Sequence, residues 1–393
     1  MGIWALDQAQ AFLRAGLEVK VVSFTSWVPT WLRRVGNAAP WADCPLVQRW
    51  GELEVFYPRW LLYQVGWIKR WAHRHPIPAM RVAWATGRRF LGELVEGWKP
   101  ELVYAHHTAA SGYVAWRLRR RYGLPYVVTD HDFEEITDCE RYPGRRRLFD
   151  QVSGEAGRMV AISHRMESDL VRLFPQIRSV RVANGSDPIP ASIAAAPRPP
   201  ELQGKRIVCS VGMFYPRKGF PGLVRAFEPV ARQHPEAELR IVGDGADRAK
   251  VERAIADCRL EGRVRLLGAQ SHAAALQEIA WCDVFALVGW DEPQGVVFAE
   301  AMSAGKPIVC ANDGGINDYF RSGVHGIAVP PRDDAAACRG LEVLLSNDKL
   351  RADCGRACRE LYEADLTWDA HAKRMRAIFE TVLAEQGRPQ NNV

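Results

Sequence analysis

Two α/β domains, each built on a doubly wound parallel sheet, are what this sequence predicts. Three observations carry the prediction. Short β-rich apolar runs alternate with longer segments of helical period. The runs are apolar on both faces, as in parallel strands covered by helices on each side. A stretch rich in proline and alanine divides the runs into two series.

The first series lies at 19–24, 102–105, 126–129, 159–162 and 180–183. The second lies at 206–211, 238–242, 264–267, 284–288, 307–310 and 327–329. Between them Pro188, Pro190, Pro197, Pro199 and Pro200 mark a linker, because a chain so rich in proline builds neither helix nor sheet. The expected division is a domain over 1–187, a linker over 188–203 and a second domain over 204–393. Ligands of open α/β sheets bind beyond the C-terminal ends of the strands, so two such sheets facing each other would enclose a central cleft.

Composition narrows the function classes. The chain has 393 residues, 48% apolar and 25% charged, which excludes a disordered tail and a small disulfide scaffold. Its net charge of +6 is unevenly spread. Residues 1–125 hold 17 Lys/Arg against 8 Asp/Glu, and 11 of the 14 Trp, so the two domains are expected to face different partners. No basic stripe or nucleic-acid module is present, and nucleic acid is not an expected partner. Nine scattered cysteines without a Cys-x-x-Cys pair fit a reduced, cytoplasmic setting. No apolar run reaches the roughly 18 residues of a membrane span, and the start has no signal-peptide pattern.

Three stretches carry chemistry. In 291–310, DEPQGVVFAEAMSAGKPIVC, Glu292 falls on a loop and Glu300 about one and a half turns into the following helix. Two carboxylates so placed bracket one elongated polar ligand and accept hydrogen bonds from vicinal hydroxyls. The amides of Gly295 and Val296 open at the helix N-terminus, a natural phosphate site. In VGMFYPRKG, Gly212 lets the backbone approach a ligand and Lys218 brings a charge to phosphate. The third stretch, Gly243-Asp244-Gly245, opens like a dinucleotide fingerprint but has Arg248 at the third glycine position. It reads as a tight strand-to-helix turn, which disfavours a nucleotide-dependent oxidoreductase.

The order of these motifs resembles the family-4 (group 1) glycosyltransferases of the GT-B fold. The resemblance spans nearly the whole chain: LVYAHH, YVVTDHDFEE, VAISHRMESDL and VANGSDP, then VGMFYPRKG, IVGDGADR, VRLLGAQ, the E-x7-E block with EAMSAGKP, NDGGIND and GVHGIAVPPRD. It implies two Rossmann-like domains around a cleft, the first on the acceptor side, the second holding a nucleotide-sugar donor, and a C-terminal helix that crosses back. Lys218 would bind the donor diphosphate, with Arg217 beside it. Glu300 would hold the ribose, Glu292 the hydroxyls of the transferred sugar, and His131 the reacting sugar and diphosphate. The family retains anomeric configuration and needs no metal or other cofactor. The implied activity is transfer of a sugar to a glycan or lipid-linked acceptor for cell-surface polysaccharide or glycolipid. His106 and His107 carry no such motif and read as structural.

Three departures stand out. The family begins with a strand and a glycine-rich loop; here Gly2-Ile3-Trp4 stands at that loop and residues 9–16 at its helix, so the sheet is expected to lack a strand and to expose two edges. Met213 replaces an arginine, and His131-Asp132-Phe133-Glu134 replaces H-G-x-D. These departures keep open a second reading, a catalytically weak binding or scaffold subunit. Trp60, Trp67 and Trp71 fall on about one helical face beside Lys69, Arg70, Arg74 and Arg81. They suit either a peripheral helix at an anionic membrane surface or a core that lines the acceptor groove.

Overall fold

A computed structural model describes residues 3–33, 38–63 and 65–386. The chain forms two compact units, one of residues up to Val182 together with those from Ala372 onward, the other Ala183–His371.

Among the described residues the first unit holds nine strands: β1 (Lys20–Val22), β2 (Thr25–Ser26), β3 (Val47–Trp50), β4 (Leu53–Phe56), β5 (Arg59–Trp60), β6 (Val103–His106), β7 (Tyr126–Asp130), β8 (Arg158–Ala161) and β9 (Ser179–Arg181). Strands β6-β7-β8-β9 form a parallel sheet in sequence order. Every residue of β7 is buried, which is why it reads as a continuous apolar run. A second sheet, β1-β4-β3, pairs β1 with β4 in parallel and β3 with β4 as a hairpin. Gly51, at φ 62°, takes the first place of its two-residue turn, which favours glycine there. Strands β2 and β5 make a separate short pair. Among the described residues, β1 and β6 each pair on one side only.

The first helix, Ile3–Arg14, packs on both larger sheets. Its Ala9 joins Leu53, Val55 and Tyr57, and the Phe12 ring lies 5.8 Å from Tyr104 of β6. Trp4 is therefore helical, not in a loop; Gly2 lies outside the described residues. The last helix, Trp368–Gln386, is fastened to the same unit from Ala372 onward. Phe379 meets Phe12 and Tyr104, Val382 fills the space left by Gly157, and Glu385 accepts from Arg158 (2.6 Å) and Arg178 (2.9 Å).

The second unit contains β10 (Arg206–Val211), β11 (Ala237–Val242), β12 (Val264–Gly268), β13 (Val284–Leu287), β14 (Ile308–Ala311) and β15 (Gly326–Val329). They form one parallel sheet in the order β12-β11-β10-β13-β14-β15, the doubly wound arrangement whose direction reverses between β10 and β13. The proline-rich stretch is not a free linker. Ile189 donates to Ser303, the carbonyls of Ile193 and Ala196 accept from Gln277 and Trp281, and Arg198 pairs with Asp283. Leu202 is buried in the core, so this segment is part of the second unit.

Two glycines explain the Gly243-Asp244-Gly245 stretch. A Cβ on Gly243 would stand 1.9 Å from the Gly212 carbonyl, and one on Gly245 would stand 2.8 Å from the Phe214 carbonyl. Both have positive φ, 140° and 155°. They let the loop after β11 cross the loop after β10 with backbone on backbone. The nine cysteines form no disulfide, and seven are buried. Burial pushes the Cys282 thiol up to about 12, so it stays an unreactive thiol.

Two outcomes follow. Gly243→Ala is expected to lower unfolding free energy in urea by about 3 kcal/mol or more, since neither strained φ nor the Gly212 carbonyl leaves room. Hydrogen bonding to Arg158 holds the Glu385 carboxyl below its usual pKa, so its contribution is present above the ordinary carboxylate range and lost as pH falls. Glu385→Gln should cost about 0.5 kcal/mol at neutral pH, a solvent-screened value, and progressively less as pH falls below the ordinary carboxylate range, read from thermal melts across pH.

Candidate functional site

In the second unit the site is built where the loops after β10 and β13 meet. After β10 the chain turns through Pro216–Lys218 and then Gly219, at φ 69°, before the helix Phe220–Gln233. That turn aims the Lys218 ammonium at Glu292, with Nζ to Oε2 2.6 Å. The side chains are 14% and 11% exposed, so removal of either leaves a largely buried charge alone. Gly212 sits beside the Lys218 stem, where a Cβ would touch Cδ at 3.8 Å. Arg217 is half-buried next to it, and its carbonyl accepts from Trp290 N–H at 2.8 Å. Met213 is 57% exposed and supplies no charge to the loop.

The loop carrying Glu292 is held from several sides. Asp291 (φ 53°) and Gly295 (φ 73°) both take left-handed backbone, one on each side of it. The Glu292 carbonyl accepts from Gly315 N–H, and Asp291 N–H donates to Asp313 Oδ2. Asp313 Oδ1 is buried with no partner among the described residues, an unused acceptor beside that loop. Gln294 was not singled out in sequence, yet it is 2% exposed and makes two hydrogen bonds, each 2.7 Å, to the backbone of Asn184. The loop is thereby tied to the start of the unit. The helix Val296–Ser303 begins directly after Gly295, so the expected amide-bearing terminus lies beside Glu292, whose Cγ would be 3.1 Å from a Cβ on Gly295.

Glu300 is the fifth residue of that helix. Its Oε1 lies 2.8 Å from Nε2 of His272, the first residue of the helix His272–Trp281. His272 was not foreseen. No local motif marks it, and its partner is 28 residues away in the chain.

In the first unit, His131 follows β7. Asp130, at the end of that strand, has no exposed surface and accepts from Thr108 through its amide (2.8 Å) and hydroxyl (2.7 Å). Burial pushes its carboxyl pKa up against those two bonds. His131 Nε2 lies 2.9 Å from His106 Nδ1, with the two rings stacked at 5.1 Å. His107 packs edge-on against His131 at 5.2 Å. It has φ 69°, and its Nδ1 is buried without a partner among the described residues. His106 and His107 thus form one imidazole cluster with His131. The signal available in sequence was that His106 ends β6, opposite Thr129, while His131 directly follows the adjacent parallel strand β7.

Residues 194–361 match the family described as glycosyl transferases group 1, and residues 1–188 match glycosyltransferase family 4. A D-inositol 3-phosphate glycosyltransferase of Nocardia farcinica is 30% identical over 307 residues, 72% of this chain and 67% of its own length. Sucrose-phosphate synthase from Thermosynechococcus elongatus has the same fold, with a TM-score of 0.78 at 20% identity over 98% of this chain and 93% of its own. The E. coli trehalose-6-phosphate protein bound with UDP-2-fluoro glucose superposes with a TM-score of 0.73 at 14% identity, over 97% and 96%. With both halves matched in order and the parallel sheets in place, the chain belongs to the group 1 glycosyltransferases of the GT-B fold.

Proposed function

We propose that this glycosyltransferase moves a sugar from a nucleoside diphosphate donor to a glycan or lipid-linked acceptor, with retention of configuration and without a metal ion. The reading is supported most by the buried Lys218–Glu292 pair at the point where sheet direction reverses, beside the Gly295 helix terminus. Such a pair is neutral as a whole. A diphosphate offers Lys218 a stronger acceptor, and the sugar offers Glu292 hydroxyl donors. Donor binding therefore exchanges one internal contact for two to the ligand, and Glu292 takes up the sugar hydroxyls as Lys218 turns to phosphate.

The chemistry follows from where charge grows. As the glycosyl bond breaks, negative charge builds on the leaving diphosphate, where Lys218, Arg217 and the amides of Gly295 and Val296 oppose it. Glu292 is committed to hydrogen bonding and acts as a positioning residue rather than a nucleophile. Departure and attack then occur on the same face, with the leaving phosphate taking the acceptor proton, which retains configuration. Glu300, oriented by His272, accepts from the ribose hydroxyls, and Asp313 Oδ1 offers a further acceptor to the sugar. The role of His131 at the transferred sugar rests on its sequence motif. The nine unpaired cysteines support a cytoplasmic site of action, and the acceptor is assigned to cell-surface polysaccharide or glycolipid synthesis. Exposed Met213 supports the competing reading, a weakly catalytic binding subunit, which predicts nucleotide binding without transfer to any acceptor.

UDP titration calorimetry tests the site. Lys218→Ala and Glu300→Ala should each weaken binding about 10- to 100-fold, the range for a lost hydrogen bond to a charged group; unchanged binding in both overturns the assignment. Glu292→Gln should keep nucleotide affinity within about fivefold while transfer falls on the order of 100-fold. With a donor found from a nucleotide-sugar panel, the rate should be the same with and without EDTA. Proton NMR of the first product should show the anomeric configuration of the donor; an inverted product refutes same-face transfer.

A further inference from the structure

Fifteen large apolar side chains stand exposed among the described residues, and nine of them fall between Trp27 and Trp71. Five of the nine are tryptophans: Trp27, Trp31, Trp50, Trp67 and Trp71. Trp60, which the sequence placed on the same helical face as Trp67 and Trp71, is instead in strand β5, 8% exposed and stacked on Phe24 at 4.2 Å. The helix itself is short, Gly66–Arg74.

Its two sides differ sharply. Ala72 is buried, and His73 lies 2.9 Å from Asp138 and 3.1 Å from Arg145, which anchors the inner side to the helices behind it. On the outer side Trp67 (70% exposed), Arg70, Trp71 and Arg74 project together, since positions three and four apart share a helix face. Trp27 is held near the start of this helix, because its amide donates to Trp60 and its carbonyl accepts from Tyr63. Trp31, 77% exposed, follows in the next turn of chain.

The cations decide what the face suits. Several exposed arginines of the first unit have a carboxylate partner, as Arg33 has Asp43, Arg49 has Glu54 and Arg89 has Glu93. Lys69, Arg70, Arg74 and Arg81 have none among the described residues. An apolar protein partner or a neutral glycan would leave the Arg70 and Arg74 charges of that face unanswered. An anionic bilayer surface answers them and also takes indole rings at headgroup depth. No described helix is long and apolar enough to cross a membrane, so the contact is one of lying on the surface.

We propose that the exposed face of Gly66–Arg74, with Trp27 beside it, docks on the headgroup layer of an anionic lipid membrane. This inference goes beyond the transfer reaction and does not depend on it. The test is co-sedimentation of the full chain with vesicles of equal parts phosphatidylglycerol and phosphatidylcholine, against pure phosphatidylcholine, at low and high salt. The wild type should pellet only with the anionic vesicles and be released by salt. Arg70→Gln/Arg74→Gln should lower retention about 25-fold, from about fivefold per cation near an anionic surface. Trp67→Ser/Trp71→Ser should lower it at least about tenfold, as two indoles leave the interface. Both variants carry changes on exposed positions and should melt with the wild type by circular dichroism. A wild type that stays in the supernatant, equal pelleting with neutral vesicles, or variants that pellet unchanged would each overturn the proposal. So would a dimer in analytical ultracentrifugation that the Trp67→Ser/Trp71→Ser variant dissolves, which would make a second copy the occupant. None of these readouts uses a donor or an acceptor, so failure here is distinct from failure of the transfer reading.

Discussion

The second unit depends on backbone passing over backbone at the C-terminal ends of β10, β11 and β13. Gly243 lies on the Gly212 carbonyl, Gly245 on Phe214, and Gly289 on Arg217 and Lys218, where a Cβ would come within 2.5 Å of the Arg217 carbonyl. No side chain fits in these crossings, and interiors at this density do not yield locally. The loop that carries Lys218 is therefore pinned against the loop that carries Glu292. Their ion pair is a result of that pinning more than a cause of it, since a buried pair on its own adds little net stability.

The same logic separates the polar groups that hold the fold from those left for chemistry. Glu238 is 3% exposed but is matched by Lys205 and Arg240, and Arg240 also grips Glu278 with two parallel bonds. Those charges close on themselves. Lys218, Glu292 and Asp313 lie instead on loops beyond the strands and Glu300 on the helix that follows, the groups proposed to meet a ligand. In the first unit the stacked imidazoles of His106 and His131, with His107 against them, occupy the corresponding place after β6 and β7.

Much of the sheet architecture was legible because parallel strands covered on both faces must be apolar throughout. All eleven runs read from the sequence are strands or overlap one. The small pieces between residues 25 and 60 were not legible. Strands β2 and β5 have two residues each, too short to show a period, and the hairpin β3–β4 was obscured by the many tryptophans around it. Trp60 illustrates the cost: a helical spacing drawn through it crosses from a strand into a helix. The contacts that sequence reasoning missed share one property. His106, His272 and Gln294 meet partners 25, 28 and 110 residues away, and no local motif encodes such a contact.

Local chemistry alone was enough to determine two α/β units with parallel sheets, of which only the second proved doubly wound, the loops with Gly212, Lys218, Glu292 and Gly295, and the family they point to. Those features depend on backbone permissiveness and on residue types at short spacing, which are properties of the chain itself. Tertiary structure decided the rest. It paired Lys218 with Glu292 and Glu300 with His272, stacked His106 on His131, drew the proline-rich stretch into the second unit, and returned the last helix to the first. It also turned Trp67 and Trp71 outward while burying Trp60. Each of these depends on which surfaces meet once the sheets are packed, and burial is a property of the meeting and not of the residue.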